Sequence, residues 1–377
     1  LGLAQHPRRE VARPRSLSEI LHKERQLAVV GDVGAESLVA SGVLLRALRT
    51  LGVDFEFYTT VDPVSPDTLG AQVVGVGAYV QNCSTCVELA ELRSRKPSQH
   101  VAPAVVESLK DVVTVAPEEY ALLISSALTR YTPRSLFEGP SQELTELVVE
   151  AVEVGAIREV TAPKLLGWGL LPLEEVVRYS VDLCLLRYFG RAVDRVSEQD
   201  VARELGVESL RSIEGRTYVP TRDIGVLDLY EAAYVLEYSI DVEGPEYTAF
   251  IPLNYSYLLW ATRGFRRSLG YVRSCLDAFL ERRYEKLERL YILECNPRAS
   301  ATVVAKVLRG LKLVEADALV AFRVSGSYYL PLQLLQRQQR IGLAGFRRER
   351  GYAVLDSEGL GRLLQRRSPQ ASQRTSP

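Results

Sequence analysis

The sequence is poor in the residues that metal and redox chemistry favour. It has three histidines, His6, His22 and His100, none adjacent to another, and five cysteines, Cys83, Cys86, Cys184, Cys275 and Cys295. An odd and mostly scattered set of cysteines argues against a secreted disulfide framework, so buried thiols are expected. Cys83 and Cys86 have the Cys-x-x-Cys spacing, yet no second pair and no His-x-x-x-His completes a four-ligand zinc site. No apolar run approaches the roughly 20 residues of a membrane helix. The opening LGLAQHPRREVARPR lacks the apolar core of a secretion signal. A cytoplasmic protein without a membrane partner is the expectation. Methionine is absent and lysine is scarce beside arginine; coding bias accounts for both.

What is present is ample core material. Across 377 residues, 47% are hydrophobic, enough for two ordinary domains. The formal net charge of −1 is unevenly spread. Residues 223–246 hold seven acids (Asp223, Asp228, Glu231, Glu237, Asp241, Glu243, Glu246) and no Lys or Arg, whereas residues 321–377 carry a net charge of +7. The acidic stretch is a candidate surface for a basic partner, and the basic one for an acidic partner.

From Leu27 the pattern is α/β. Leu27–Val30 reads as a strand buried on both faces, and Ala40, Val43, Leu44, Ala47, Leu48 and Leu51 then recur at helical spacing. Gly52 ends that helix, and Val53, Phe55 and Phe57 alternate with polar residues as in a second strand. Further strands are expected at Gln72–Val76 and Val112–Val115. Helices are expected at Ala104–Leu109, Glu118–Tyr131 and Ser141–Val154, one from Leu173 behind Pro172, and a capped one in SEQDVARELGVESL. A long helix over about Ser268–Arg289, strand YILEC, helix SATVVAKVLRGL and strands ALVAFRVS and GYAVL complete the reading. Alternating strands and helices favour a mainly parallel sheet, whose ligand sites gather at strand carboxyl ends. The turn Gly31–Ser37 lies at such an end, which makes Asp32 and Glu36 the first candidates for chemistry.

The stretch GDVGAESLVASGVLLRALRTLGVDFEF resembles the first motif of the DHH phosphoesterase superfamily, which includes RecJ nucleases. There a strand ends in His-x-Asp-x-Asp-Gly before a helix; here those positions are Asp32, Gly34, Glu36 and Ser37. LLGWGLLPLEEVVRYSVD is similar to a stretch after the phosphoesterase core of archaeal RecJ-like proteins and their Cdc-forty-five relatives. VAFRVSGSYY and GFRRERGYAVL look like a worn DHH-associated C-terminal domain, whose Gly-Gly-His falls on Gly345, Phe346 and Arg347. The resemblance implies an α/β chain. A parallel-sheet DHH-type domain over 27–196 would follow a peripheral segment, 1–26. A connector, 197–250, would lead to a smaller α/β DHH-associated domain, 251–365, and a disordered tail, 366–377.

Hydrolysis in this family is expected to use two hard divalent cations, which requires several carboxylates and imidazoles at one site. Gly34 has no side chain, the second motif's Asp falls near Gly75 or Gly77, and the third motif needs adjacent histidines. Asp32 and Glu36 alone would at most hold one Mg²⁺ with waters. The resemblance therefore implies a catalytically inactive scaffold without metal or cofactor, an archaeal replication subunit that joins the GINS complex and through it the MCM helicase. Single-stranded DNA is a further candidate partner, with Arg323, Arg347, Arg348 and Arg350 as candidate contacts. Arg263, Arg266 and Arg267 near Trp260 and Tyr271 form a second mixture suited to a single strand, or a solvated helix end. Two alternatives stay open: a nuclease or nucleotide phosphoesterase with substitute ligands, and a nucleotide-binding regulator using the cleft between the domains.

Overall fold

The computed structural model describes residues 17, 20, 24, 26–69, 71–78, 80, 86–89, 100–131, 142–181, 183–337 and 346–367. Chain order begins with β1 (Gln26–Asp32), α1 (Ala35–Leu51), β2 (Asp54–Thr60), β3 (Gln72–Val76), β4 (Val87–Leu89), α2 (Val101–Leu109), α3 (Pro117–Leu128) and α4 (Gln142–Glu153). Next come β5 (Ile157–Pro163), α5 (Leu173–Tyr179), α6 (Glu198–Leu205), β6 (Glu214–Pro220), α7 (Leu229–Val242), α8 (Pro245–Ala249) and α9 (Ser256–Leu280). The chain continues with β7 (Tyr284–Leu287), β8 (Leu290–Leu293), α10 (Ala301–Gly310), β9 (Leu319–Val324), β10 (Ser327–Pro331), α11 (Leu332–Arg337), β11 (Arg347–Glu349), β12 (Tyr352–Leu355) and α12 (Ser357–Arg367).

The protein is α/β, as expected. Strands β2-β1-β3-β4 form an all-parallel sheet, and β11-β12-β10-β9-β8-β7 form a second sheet in which only β8 and β9 run parallel, joined through α10. A separate antiparallel pair, β5 and β6, has no counterpart among the expected strands. Strand β1 is central and buried from Leu27 onward, as its unbroken apolar run requires, while edge strand β2 alternates exposed acids with half-buried Phe55 and Phe57. Helix α1 ends at Gly52 in the left-handed conformation (φ 69°), where glycine carries no Cβ penalty. Inside α1, a Cβ on Gly42 would lie 2.1 Å from the Ala249 carbonyl oxygen, so the backbones of α1 and α8 touch there.

Helix α7 binds the two sheets together: it packs on α3 from the first unit and on α9 and α10 from the second. A hydrophobic cluster with members from Leu17 to Leu363 spans both sheets, and two smaller clusters lie around Val177 and around Val30. The hairpin β11–β12 also closes on α7, since a Cβ on Gly351 would lie 1.9 Å from the Ile240 carbonyl oxygen.

Several local expectations differ. Val112–Val115 is not a strand: it pairs with no strand among the described residues and leads from α2 into α3. The long helix begins at Ser256 and stops at Leu280; Arg282 adopts a left-handed φ of 59°, and Tyr284 and Leu287 belong to β7. Cys275 and Cys295 are disulfide-bonded with Cα atoms 5.7 Å apart, not free thiols, whereas Cys184 is a buried thiol. Cys83 and Gly345 lie outside the described residues.

Candidate functional site

The turn between β1 and α1 sits at the carboxyl end of the central strand. Asp32, buried, accepts a 2.6 Å hydrogen bond through Oδ1 from the Gly34 N–H and so fixes the turn locally. Gly34 is the helix N-cap and supplies no side chain. Glu36, in the first turn of α1, is also buried, and its surroundings answer what it does.

Glu36 Oε1 accepts from the backbone N–H groups of Val101 (2.6 Å) and Ala102 (3.0 Å), and His100 Nδ1 lies 3.1 Å from it. These donors are the open start of α2, with His100 at its N-cap, where orphan N–H groups and the helix dipole favour a negative charge. Oε2 lies 2.7 Å from Arg130 Nε. Burial alone would raise the carboxyl's pKa, but the His100 hydrogen bond, the Arg130 charge and the backbone donors outweigh it and hold the pKa below the usual range. Tyr131 closes the network with its hydroxyl 3.0 Å from His100 Nε2. The carboxylate is thus committed to the protein's own donors, joining α1, α2 and the end of α3.

The other motif positions offer little. Gly75 lies within β3, paired to Val30 and Glu88; Gly77 is bridged to Gly31, donates its N–H to the Leu89 carbonyl and has a φ of 64°. Among the described residues, no three His, Cys, Asp or Glu side chains gather to hold a metal ion. A pair of divalent cations needs several free anionic or imidazole donors, and Asp32 beside an engaged Glu36 does not fit that requirement.

The four candidate DNA-contacting arginines each make contacts within the protein. Arg323 lies between Glu294 (2.7 Å) and Glu285 (3.4 Å) on the second sheet. Arg347 pairs with Glu349 at 3.0 Å. Arg348 reaches across to the first sheet, donating to Thr59 Oγ1 at the end of β2 (3.0 Å) and to Glu246 (2.7 Å). Arg350 donates to the Val242 carbonyl at the end of α7 (2.6 Å).

The acidic stretch is largely interior. Asp228 caps α7 by accepting from the Glu231 N–H, and also accepts from the Gly167 N–H within LLGWGLL. Glu231 is held by Arg266 through bonds of 2.7 and 3.0 Å, Glu237 by Lys306 at 2.7 Å, and Lys306 also donates to the Thr129 carbonyl. Asp241 accepts from Ser300, Thr302 and Gln333. Burial pushes Asp228 and Asp241 up to about 6 despite these hydrogen bonds. Of the arginines near Trp260, Arg266 is therefore drawn into the core, while Arg263 stands over the Trp260 ring at 5.9 Å. Sequence reading missed the His100–Arg130–Tyr131 network and the partners of α7. The acidic stretch DLYEAAYVLEYSIDVEGPEY reads as a helix and then a loop around Gly244 and Pro245, which the structure bears out; the apolar helical spacing of Leu229, Ala232, Ala233 and Leu236 was the signal for its burial.

The chain aligns with the crystal structure of CDC45 from Entamoeba histolytica at a TM-score of 0.57, covering 93% of this chain and 96% of that one at 7% identity. The chain has the CDC45 fold. The resemblance read from β1 and α1 thus holds at the level of fold. Two RecJ structures also match. RecJ in complex with Mn²⁺ from Thermus thermophilus has a TM-score of 0.42 and 13% identity, over 93% of this chain and 52% of that one. An exonuclease RecJ bound to manganese has 0.43 and 15%, over 93% and 90%. By sequence, no protein-family profile and no curated protein matches.

Proposed function

We propose that this protein is a non-catalytic, RecJ-like scaffold subunit of a DNA-replication assembly, acting in the cytoplasm of an archaeal cell. It would join a GINS complex and, through it, an MCM helicase ring. The observation that carries the reading is the state of Glu36: its carboxylate is bound by the start of α2, by His100 and by Arg130. A residue at a metal-ligand position of the motif has become a strut between helices. The CDC45 likeness over 93% of the chain supports the same reading, as does the packing of α7 on helices of both units. Fold likeness alone does not establish function, so the proposal stands on the site.

Affinity purification of the tagged protein from its native cell extract tests the reading. GINS subunits should co-purify in near-stoichiometric amount. In parallel, the purified protein with Mn²⁺ should leave single-stranded DNA and dinucleotides intact. Cleavage that disappears in Glu36→Ala but persists in a surface control such as Arg203→Ala would favour an enzyme and defeat the scaffold reading.

A further inference from the structure

A cavity of about 590 Å³ lies between the end of α7, the middle of α9 and the turns that carry Arg298 and Arg350. Its lining contains no residue from the turn between β1 and α1. The size suits a small organic ligand. Three arginines, Arg267, Arg298 and Arg350, and one acid, Glu243, line it, so its formal charge is two positive. Arg323, Arg347 and Arg348 elsewhere are each paired with a glutamate, but Arg267 and Arg298 have no carboxylate partner among the described residues. Arg350 is held in place through its bond to the Val242 carbonyl. A local excess of positive charge on an exposed wall raises the potential there and favours an anion, most strongly at low salt.

The rest of the lining adds shape and an aromatic surface. Gly264 and Gly270 leave the α9 wall bare: a Cβ at Gly264 would meet the Tyr238 hydroxyl at 3.0 Å, while one at Gly270 would meet nothing within 4 Å. Tyr271, 41% exposed, borders the same space with Ser268 and Ser274. Arginine forks match phosphate oxygens two at a time, and an exposed tyrosine ring offers a face on which a base can stack.

We propose that this cavity binds a nucleoside polyphosphate, with Arg267, Arg298 and Arg350 on the phosphates and Tyr271 against the base. Calorimetric titration of the full chain at low salt with ADP, pyrophosphate and adenosine tests it. ADP should bind more tightly than either fragment. Arg267→Gln combined with Arg298→Gln should weaken ADP at least tenfold, and Tyr271→Ala should weaken ADP while leaving pyrophosphate unchanged. Gly270→Leu fills the cavity from a helical position with room for a side chain, so it should abolish ADP binding without lowering the melting temperature. Unchanged ADP affinity in both the double-arginine and Gly270→Leu proteins would overturn the site. So would binding seen only with oligonucleotides and not with ADP.

Discussion

Arg130 lies 2.7 Å from Glu36 and is itself a quarter exposed, so a buried carboxylate at the head of α1 is neutralised by a cation reached from the far end of α3. The same carboxylate caps α2. Charge, capping and helix packing therefore meet in one side chain, and the functional reading depends on it.

Glu36→Gln is expected to lose the ion pair and one charge-assisted acceptor while keeping the volume. A hydrogen bond to a charged group contributes about 1.5–3 kcal/mol, so a loss of about 2 kcal/mol is expected. Urea unfolding at neutral pH measures it. Since the folded pKa of Glu36 is depressed, its contribution is present above the ordinary carboxylate range and disappears as pH falls through the folded value. The gap between wild type and Glu36→Gln should accordingly narrow in acid; a gap that stays constant with pH would contradict the assignment.

Asp241 behaves in the opposite sense. Burial raises it to about 6, so its contribution is complete below the unfolded value near ~4 and is lost as pH rises through about 6. A shift of about two units corresponds to on the order of 3 kcal/mol. Asp241→Asn keeps the shape and cannot ionise, and its amide oxygen can still accept from Ser300 and the Thr302 N–H. Between pH 4 and pH 7 the mutant should gain on wild type by about 2–3 kcal/mol in parallel denaturation series. A mutant that loses ground over that interval would show that the ionised carboxylate is the favoured form.

How much of this was legible depended on where the partners lie. β1, α1 and β3 could be read from sequence because a continuous apolar run and a 3.6-residue period are local signals. Strands β5 and β6 gave no such signal: IREVTAP and EGRTYVP mix charged and apolar residues without regular alternation, and they pair only with each other. The start of α9 was hidden because Tyr257, Leu259 and Trp260 are exposed apolar residues that blur its stripe. The emptied motif was visible at Gly34, where a side chain is simply missing. The role of Glu36 was not, because His100 is 64 residues away along the chain. The acids of α7 looked like a surface for a basic partner for the same reason: Arg266, Lys306, Thr302 and Gln333 reach them only through the tertiary fold.

The bridge from Arg348 to Thr59 and Glu246 ties the β11–β12 hairpin to the first sheet. Both charged side chains are more than a third exposed, so Arg348→Ala should cost no more than about 1 kcal/mol globally. Its effect should be local: amide exchange at β11 should accelerate while β12, buried and paired to β10, stays protected. Equal acceleration across both strands would mean that the bridge holds more than the hairpin edge.

Two helical glycines give a paired test of packing. Gly42 in α1 and Gly270 in α9 each gain about 0.8–1 kcal/mol of helix propensity on replacement by alanine. At Gly270 nothing lies within 4 Å of the new methyl, so Gly270→Ala should raise stability by about that amount. At Gly42 the methyl would meet the Ala249 carbonyl at 2.1 Å and the Pro252 ring at 2.7 Å, atoms that cannot rotate away. Overpacking of this kind typically costs about 1–3 kcal/mol or more, enough to reverse the sign. Thermal and urea unfolding of the two mutants should therefore move in opposite directions. If Gly42→Ala were stabilising, α1 and α8 would not be in backbone contact, and the joint that seats the first sheet's helix against the start of α9 would have to be redrawn.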